Sequence, residues 1–256
     1  MNNTNSTLSL NKKLTLTGAF SALVIVLGIT KLGFITLGPT ASITILHIPV
    51  ILICMLAGLP EGLFVGLVFG SLSLIQAAMS PSGVLDPFFV NPLISVLPRM
   101  LIAVVAWGLW KLFNKAKNLS KDNIIGVTML FGGFFLLFCV KGLNCDVSTG
   151  VAIAVMCTAA IWLLLVNASI VPSFVYAGIV GFITTITHTL LVLGSLYLFQ
   201  GNAVREALGG IGYFALVGMC SVNAILEAIA ATILSVAVYT GLFISGKKKS
   251  KLSSEN

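Results

Sequence analysis

The chain has 256 residues, of which 58% are hydrophobic and only 8% are charged, and its mean hydropathy is +1.11. Soluble domains carry about 25% charged residues, so this composition excludes a soluble domain and a disordered chain and indicates an integral membrane protein. The net charge of +7 arises from 14 basic and 7 acidic residues. Because most of the basic residues flank apolar stretches, they favour contact with anionic lipid over binding of nucleic acid.

About eight stretches are apolar enough to cross a membrane as helices, since a span needs about 20 mostly apolar residues. In chain order they are Leu14 to Ile35, Ile43 to Leu59, Gly62 to Met79, Leu93 to Phe113, Ile124 to Val140, Val151 to Val166, Ser173 to Phe199 and Ile211 to Ile244. The predicted fold class is therefore all-α: a polytopic transmembrane helix bundle that forms a single membrane domain over residues 1–256.

The distribution of basic residues predicts the orientation of the bundle. Ten of the 14 basic residues fall on one side of an even number of spans: Lys12, Lys13, Lys111, Lys115, Lys117, Lys121, Lys247, Lys248, Lys249 and Lys251. Because loops rich in lysine and arginine stay in the cytoplasm, we expect both termini to be cytoplasmic. The N-terminal tail 1–13 and the basic C-terminal tail 246–256 then flank a multi-pass protein of the cell membrane.

Two charged residues, Arg99 and Glu227, lie well inside predicted spans, away from the loops. Arg99 is about six residues into the fourth span, at a depth of about 9 Å, and Glu227 is near the centre of the eighth. An ionised group there costs about 2.5–3.5 kcal/mol, which makes each residue a functional candidate. Two interpretations remain open: Arg99 and Glu227 pair and lock two helices, or Arg99 binds a ligand carboxylate while Glu227, with Asn223 one turn earlier, accepts from ligand donors.

The remaining polar groups give no sign of catalysis. His47 and His188 have no cysteine or carboxylate neighbours at ligand spacing, and the five cysteines are scattered, so neither a metal site nor a disulfide framework is expected. A histidine in such a span is more often an interhelical hydrogen-bonding residue than a metal ligand. Because phosphate-binding, nucleophile-elbow and paired-carboxylate motifs are absent, we predict that the chain is not an enzyme and uses no cofactor.

Two further segments have features of contact sites: a proline-rich segment between two spans and a pair of small residues in the first span. The segment from Ser80 to Pro92, which includes Asn91, is rich in proline and is either a lid or a simple connector. In the first span, Gly18 and Ala22 are one helical turn apart, a spacing of small residues that allows another helix to approach closely. That helix belongs either to this chain or to another subunit.

The sequence resembles the substrate-binding (S) components of energy-coupling factor (ECF) transporters of the vitamin-uptake type. The resemblance covers about two thirds of the chain, in the stretches ASITILHIPVI, AGLPEGLFVGLVFGSLSLIQA, LDPFFVNPLISVLPR, GFITTITHTLLVLGSLYLF and VNAILEAI. It implies a protein that captures a micronutrient outside the cell and delivers it through a transmembrane coupling (T) subunit driven by two cytoplasmic ATPase subunits. It also implies that the coupling subunit contacts the first helix, at Gly18 and Ala22.

The resemblance also implies a set of substrate-binding residues within the matching stretches. They are Arg99, Asn223, Glu227, His188, Asn91 and His47. The arginine favours an acidic vitamin such as pantothenate or folate. Since the family usually has six helices, we interpret residues 120–170 as an inserted helical hairpin. The alternatives are a self-sufficient secondary transporter, which would usually contain internal repeats, and a non-catalytic accessory subunit of a membrane enzyme.

Overall fold

The computed structural model describes residues 8–30, 32–36, 42–81, 84–116, 173–210 and 212–254. Within these ranges there are six α-helices, two short strands and one 3-10 helix. They are α1 (Leu10–Ile29), β1 (Phe34–Thr36), β2 (Ser42–Thr44), α2 (Ile48–Leu56), α3 (Leu59–Met79), the 3-10 helix Asp86–Val90, α4 (Pro92–Ala116), α5 (Ser173–Ala207) and α6 (Tyr213–Ser254).

All of these helices except α2 are long and apolar enough to cross a membrane. The predicted multi-pass helical bundle is therefore confirmed, although the described ranges contain fewer helices than the eight expected. The fifth and sixth predicted spans, and with them the inserted hairpin at 120–170, lie outside the described residues.

The chain divides into two compact units, Met1–Gly108 with Ala177–Asn256, and Leu109–Tyr176. In the second unit the structure describes the end of α4 and the start of α5, where the rings of Phe113 and Tyr176 stack with their centroids 4.9 Å apart. Every residue of the candidate site belongs to the first unit.

The first two predicted spans are wrong in their boundaries, because a β-hairpin lies between them. The first helix ends at Ile29, not at Ile35. Strands β1 and β2 pair antiparallel, with Phe34 opposite Thr44 and Thr36 opposite Ser42. The β-branched and aromatic residues of FIT and SIT fit a pleated ribbon well. The backbone N–H of Ile45 also donates to Gly33 O at 3.0 Å, which extends the pairing beyond the strands.

The second predicted span is in fact the short helix α2, preceded by β2. Proline has no backbone N–H and is tolerated in the first helical turn, so Pro49 marks the start of this helix. A helix of nine residues is about 13 Å long and does not cross the hydrocarbon core. Residues 48–55 are all buried, as expected for a helix that is apolar on every side. Helix α2 therefore forms the centre of the first unit, in contact with α1, α3 and α6.

Helices α1 and α3 run parallel and in register. At one end Lys13 Nζ lies 3.3 Å from Glu61 Oε1, and at the other end Gln76 Nε2 donates to Gly28 O at 2.6 Å. Both pairs are separated by 48 residues, so the helices stay aligned over about 22 Å. The start of α3 follows from its sequence, because Gly58 adopts a φ of 124°, Pro60 lies in the first turn and Glu61 faces the positive end of the helix dipole.

Glycines allow two pairs of helices to approach closely, and this brings the polar residues together. A Cβ atom at Gly66 of α3 would lie 2.6 Å from Arg99 O of α4. A Cβ atom at Gly181 of α5 would lie 2.9 Å from Ala231 O of α6. Since backbone atoms cannot give way, only glycine permits these crossings. They bring α3 against α4 at Arg99, and α5 against α6 one turn before Thr185.

Candidate functional site

Arg99 is buried in α4, as its position in the sequence predicts, and its side chain is 7% exposed. Its Nη1 donates to Ile94 O at 2.8 Å, and its Nη2 lies 3.4 Å from Ser73 Oγ. Its Nε has no hydrogen-bond partner in the described part of the chain. No described carboxylate lies within 4.0 Å of the guanidinium, so the ion pair with Glu227 that the sequence left open is not formed there.

Two aromatic rings flank the Arg99 guanidinium. Its Cζ lies 5.7 Å from the ring centroid of Phe69 on α3 and 5.3 Å from that of Phe89 in the 3-10 helix. Such contacts contribute about 0.5–2 kcal/mol each and leave the in-plane N–H groups available. Ser95 Oγ donates to Phe89 O and so holds the 3-10 helix against α4. The proline-rich segment thereby contributes an aromatic wall next to the arginine.

His47 lies directly before α2 and is fully buried. Its Nε2 lies 3.0 Å from Thr185 Oγ1 on α5. The Thr185 hydroxyl has one proton, and it donates this proton to Gly181 O at 2.8 Å. The hydroxyl must therefore accept at His47, which assigns a proton to His47 Nε2. His47 thus links the central helix to α5.

His188 stacks against His47 one turn after Thr185. The ring centroids are 5.3 Å apart and the ring planes are inclined by 29°. On its other side the His188 ring lies 6.0 Å from the Phe69 centroid. The side chain is 7% exposed, yet neither ring nitrogen has a hydrogen-bond partner among the described residues. The neighbouring Thr184 Oγ1 is also buried and unpartnered there.

These contacts form a continuous row of side chains, the buried row, which is buried from Arg99 to His47 and half-buried at Phe89. It runs from Phe89 through Arg99, Phe69 and His188 to His47. A buried polar atom without a hydrogen bond costs about 1–3 kcal/mol, and native proteins contain few of them. Unpartnered nitrogens of an arginine and a histidine, both beside one phenylalanine ring, are therefore the arrangement expected of a site that binds a polar molecule.

Glu227 is buried in α6 and binds the backbone of the β-hairpin. Its Oε1 accepts the N–H of Thr44 at 2.7 Å. Asn223 lies one turn earlier on the same face of α6 and is half-buried. The carboxylate for which the sequence suggests ligand binding therefore holds β2 against α6.

We predict that Glu227→Leu loosens the hairpin. A hydrogen bond to a charged group contributes about 1.5–3 kcal/mol, and its loss leaves the Thr44 N–H unpaired. Backbone amides of residues 42–46 should then exchange with deuterium at least about tenfold faster, as measured by mass spectrometry. Glu227→Gln keeps an acceptor oxygen and should change the rate much less. The exposed Glu206→Leu is the control, and equal exchange in Glu227→Leu and this control would contradict the assignment.

The other predicted residues lie elsewhere in the fold. Asn91 precedes α4, where its Oδ1 accepts the N–H of Leu93 at 3.0 Å, so its side chain caps the helix. Gly18 and Ala22 are exposed on α1, and a Cβ atom at Gly18 would have no neighbour within 4 Å. The structure thus leaves this small-residue face of α1 uncovered by the described residues.

Sequence reasoning missed Phe69, Phe89 and Thr185 as members of the site. Phe69 and Ser73 are one turn apart on α3, so both face Arg99, but this spacing is common in apolar helices. Thr185 belongs to a threonine-rich stretch in which most hydroxyls bond to their own helix. No local signal distinguishes the one that also contacts His47.

Comparison with known proteins identifies the family of the chain. The family described as "ECF transporter, substrate-specific component" matches residues 12–239. The chain is 24% identical over 214 residues to the pantothenic acid transporter PanT of Lactococcus lactis subsp. cremoris strain MG1363, covering 78% of this chain and 76% of that protein. It is 31% identical over 111 residues to the pantothenate transporter PanT of Leuconostoc mesenteroides subsp. mesenteroides, covering 42% of this chain and 54% of that protein.

The family match extends from α1 into α6 and includes every residue of the buried row. It confirms the resemblance detected in the sequence. The five apolar helices and the family match together show that the chain is a multi-pass membrane protein that takes part in transport. The chain belongs to the family of substrate-specific components of ECF transporters.

Proposed function

We propose that this chain is the pantothenate-binding subunit of an ATP-driven ECF importer. The observation that carries the proposal is the buried Arg99, whose guanidinium has no carboxylate partner among the described residues and keeps an unpartnered N–H. A guanidinium presents its N–H groups in a fork that matches a carboxylate. Pantothenate has one carboxylate, and the two relatives named as its transporters favour it over folate.

The surroundings of Arg99 support a role in binding rather than in packing. The Phe69 and Phe89 rings lie 5.7 Å and 5.3 Å from Arg99 Cζ and so restrict the directions from which a ligand can approach the guanidinium. Exclusion of water by these rings strengthens the attraction between the opposite charges. A leucine or methionine at position 99 would pack with α3 at a lower cost of desolvation.

The remainder of the transport cycle requires other subunits. We propose that Gly18 and Ala22 contact a transmembrane coupling subunit, which joins the chain to two cytoplasmic ATPases. Their exposed positions on α1 are compatible with a close helix crossing. The proposed topology has residues 1–13 and 246–256 in the cytoplasm. This arrangement puts the Lys13–Glu61 ion pair near the cytoplasmic face.

Uptake of labelled pantothenate by cells that lack other pantothenate transporters tests this function. We expect uptake only when the chain is expressed together with a coupling subunit and both ATPases. An ATPase variant that cannot hydrolyse ATP should abolish uptake and leave binding by this chain intact. Uptake by the purified chain alone, in vesicles with an ion gradient, would contradict the proposal and favour a secondary transporter.

A further inference from the structure

We propose that His188 is a specificity-determining residue that binds a hydroxyl group of the ligand whose carboxylate binds Arg99. This inference rests on the proposed function and defines the ligand further. It identifies the preferred substrate as a small carboxylate that carries a hydroxyl group at a distance from the carboxylate. The carboxylate of the ligand would then bind Arg99, and its hydroxyl group would bind His188.

His188 has no hydrogen-bond partner in the described part of the protein. Both of its ring nitrogens are buried and have no partner within the described ranges. His47 is the nearest polar ring, but the two rings are stacked at 29°, and ring N–H groups point within the ring plane. Stacking therefore cannot supply a hydrogen bond to either nitrogen. In addition, the Nε2 proton of His47 is already donated to Thr185.

The hydrogen-bonding groups of His188 favour a hydroxyl group over a carboxylate as its partner. A neutral imidazole has one N–H donor and one bare nitrogen acceptor. A carboxylate only accepts, so it can pair with the N–H but never with the bare nitrogen, whereas a hydroxyl group can pair with either one. The unpartnered hydroxyl of Thr184, one turn before His188 on α5, is a further neutral hydrogen-bonding group in the same turn. This part of the site is therefore suited to neutral polar groups.

Arg99 and His188 lie close enough together for one small molecule to contact both. Arg99 Cζ lies 5.7 Å and the His188 ring lies 6.0 Å from the same Phe69 ring centroid. Because both groups lie within 6.0 Å of the centroid of one ring, a single small molecule can contact the guanidinium and the imidazole together.

A purely structural role for His188 makes a different prediction. A histidine that only joins helices would lower stability when replaced, but it would not alter the preference between two ligands. Selectivity is therefore the decisive measurement. The two probes are pantothenate and its analogue in which both hydroxyl groups are replaced by hydrogen, because both retain the carboxylate.

Equilibrium binding of both probes to the purified chain tests the inference. We expect the unmodified chain to prefer pantothenate by at least about tenfold, because a site built for a hydroxyl group rejects the analogue that lacks it. His188→Leu should bind the two probes equally. His188→Gln keeps a donor and an acceptor and should retain a preference. Thr187→Val is the matched control, since the Thr187 hydroxyl bonds to its own helix at Ile183 O, and it should behave like the unmodified chain.

Two outcomes would overturn the role of His188 alone, and a third would overturn the proposed function as well. Equal binding of both probes by the unmodified chain overturns the role of His188 while the proposed function stands. A preference that persists in a folded His188→Leu variant does the same. If the unmodified chain binds neither probe, the proposed function itself fails, and the inference fails with it.

Discussion

Arg99→Met is expected to reduce the affinity for pantothenate by about 30-fold to 4,000-fold. Truncating one partner of a buried charge pair costs about 2–5 kcal/mol, and each 1.4 kcal/mol is a factor of ten in the dissociation constant. Arg99→Lys should bind with intermediate affinity, because an ammonium retains the charge but lacks the planar fork. Equilibrium binding to the purified chain measures both effects.

Two controls separate loss of the carboxylate contact from general damage. Arg205→Met removes an exposed arginine that also packs on an aromatic ring, that of Tyr197, and it should bind pantothenate normally. Panthenol, the alcohol analogue, lacks the carboxylate, so Arg99→Met should bind it no more weakly than the unmodified chain does. Full affinity for pantothenate in Arg99→Met would show that this residue does not bind the carboxylate.

Replacing both Gly18 and Ala22 by leucine is expected to abolish transport without affecting binding. A side chain at Gly18 meets no atom of the described chain within 4 Å, and Ala22 is exposed, so the bundle itself should tolerate the change. The proposed partner helix needs small residues for a close crossing, and two leucines prevent it. Copurification with the coupling subunit and cellular uptake should both be lost.

Gly218→Leu provides the matched control for this pair of substitutions. Gly218 lies on α6 and, like Gly18, has open space around its Cβ position. This variant should copurify with the coupling subunit and support uptake. Normal uptake by the Gly18 and Ala22 double variant would contradict the assignment of this face of α1 to the coupling subunit.

The long helices could be predicted from the sequence, whereas the hairpin could not. The long apolar stretches of α3 and α4 determine their positions, and α3 ends at the predicted Met79. In contrast, the run from Ser42 to Leu56 is almost uniformly apolar. Apolar runs of this kind do not distinguish a short strand followed by a short helix from one span. The available signal for a shorter helix was Pro49, which fits only the first turn of a helix.

The burial of Arg99 was predictable, but its neighbours were not. A charged residue inside an apolar span identifies itself, and the structure buries it as expected. Its contacts with Phe69 and Phe89 depend on glycine-mediated crossing of α3 and α4 and on the fold of the 3-10 helix. These are properties of packing between distant segments, which periodicity within one segment does not determine.

The contact of Glu227 could not be predicted from the sequence, whereas the capping contact of Asn91 could. Glu227 binds a backbone N–H 183 residues away, and a backbone partner leaves no trace in the sequence. For Asn91 the signal was present, since an asparagine followed by proline at the start of an apolar run is typical of a helix N-terminus. The structure gives it that capping contact, and its proposed role in substrate binding stays a prediction.

Binding of labelled pantothenate to the purified, unmodified chain tests the central claim most directly. In detergent or lipid nanodiscs, without any coupling subunit or ATPase, we expect saturable binding at about one molecule per chain, because the buried row presents a single arginine. Unlabelled pantothenate should compete, and panthenol should compete far more weakly. Absence of saturable binding, or equal competition by panthenol, would contradict capture of a carboxylate at Arg99.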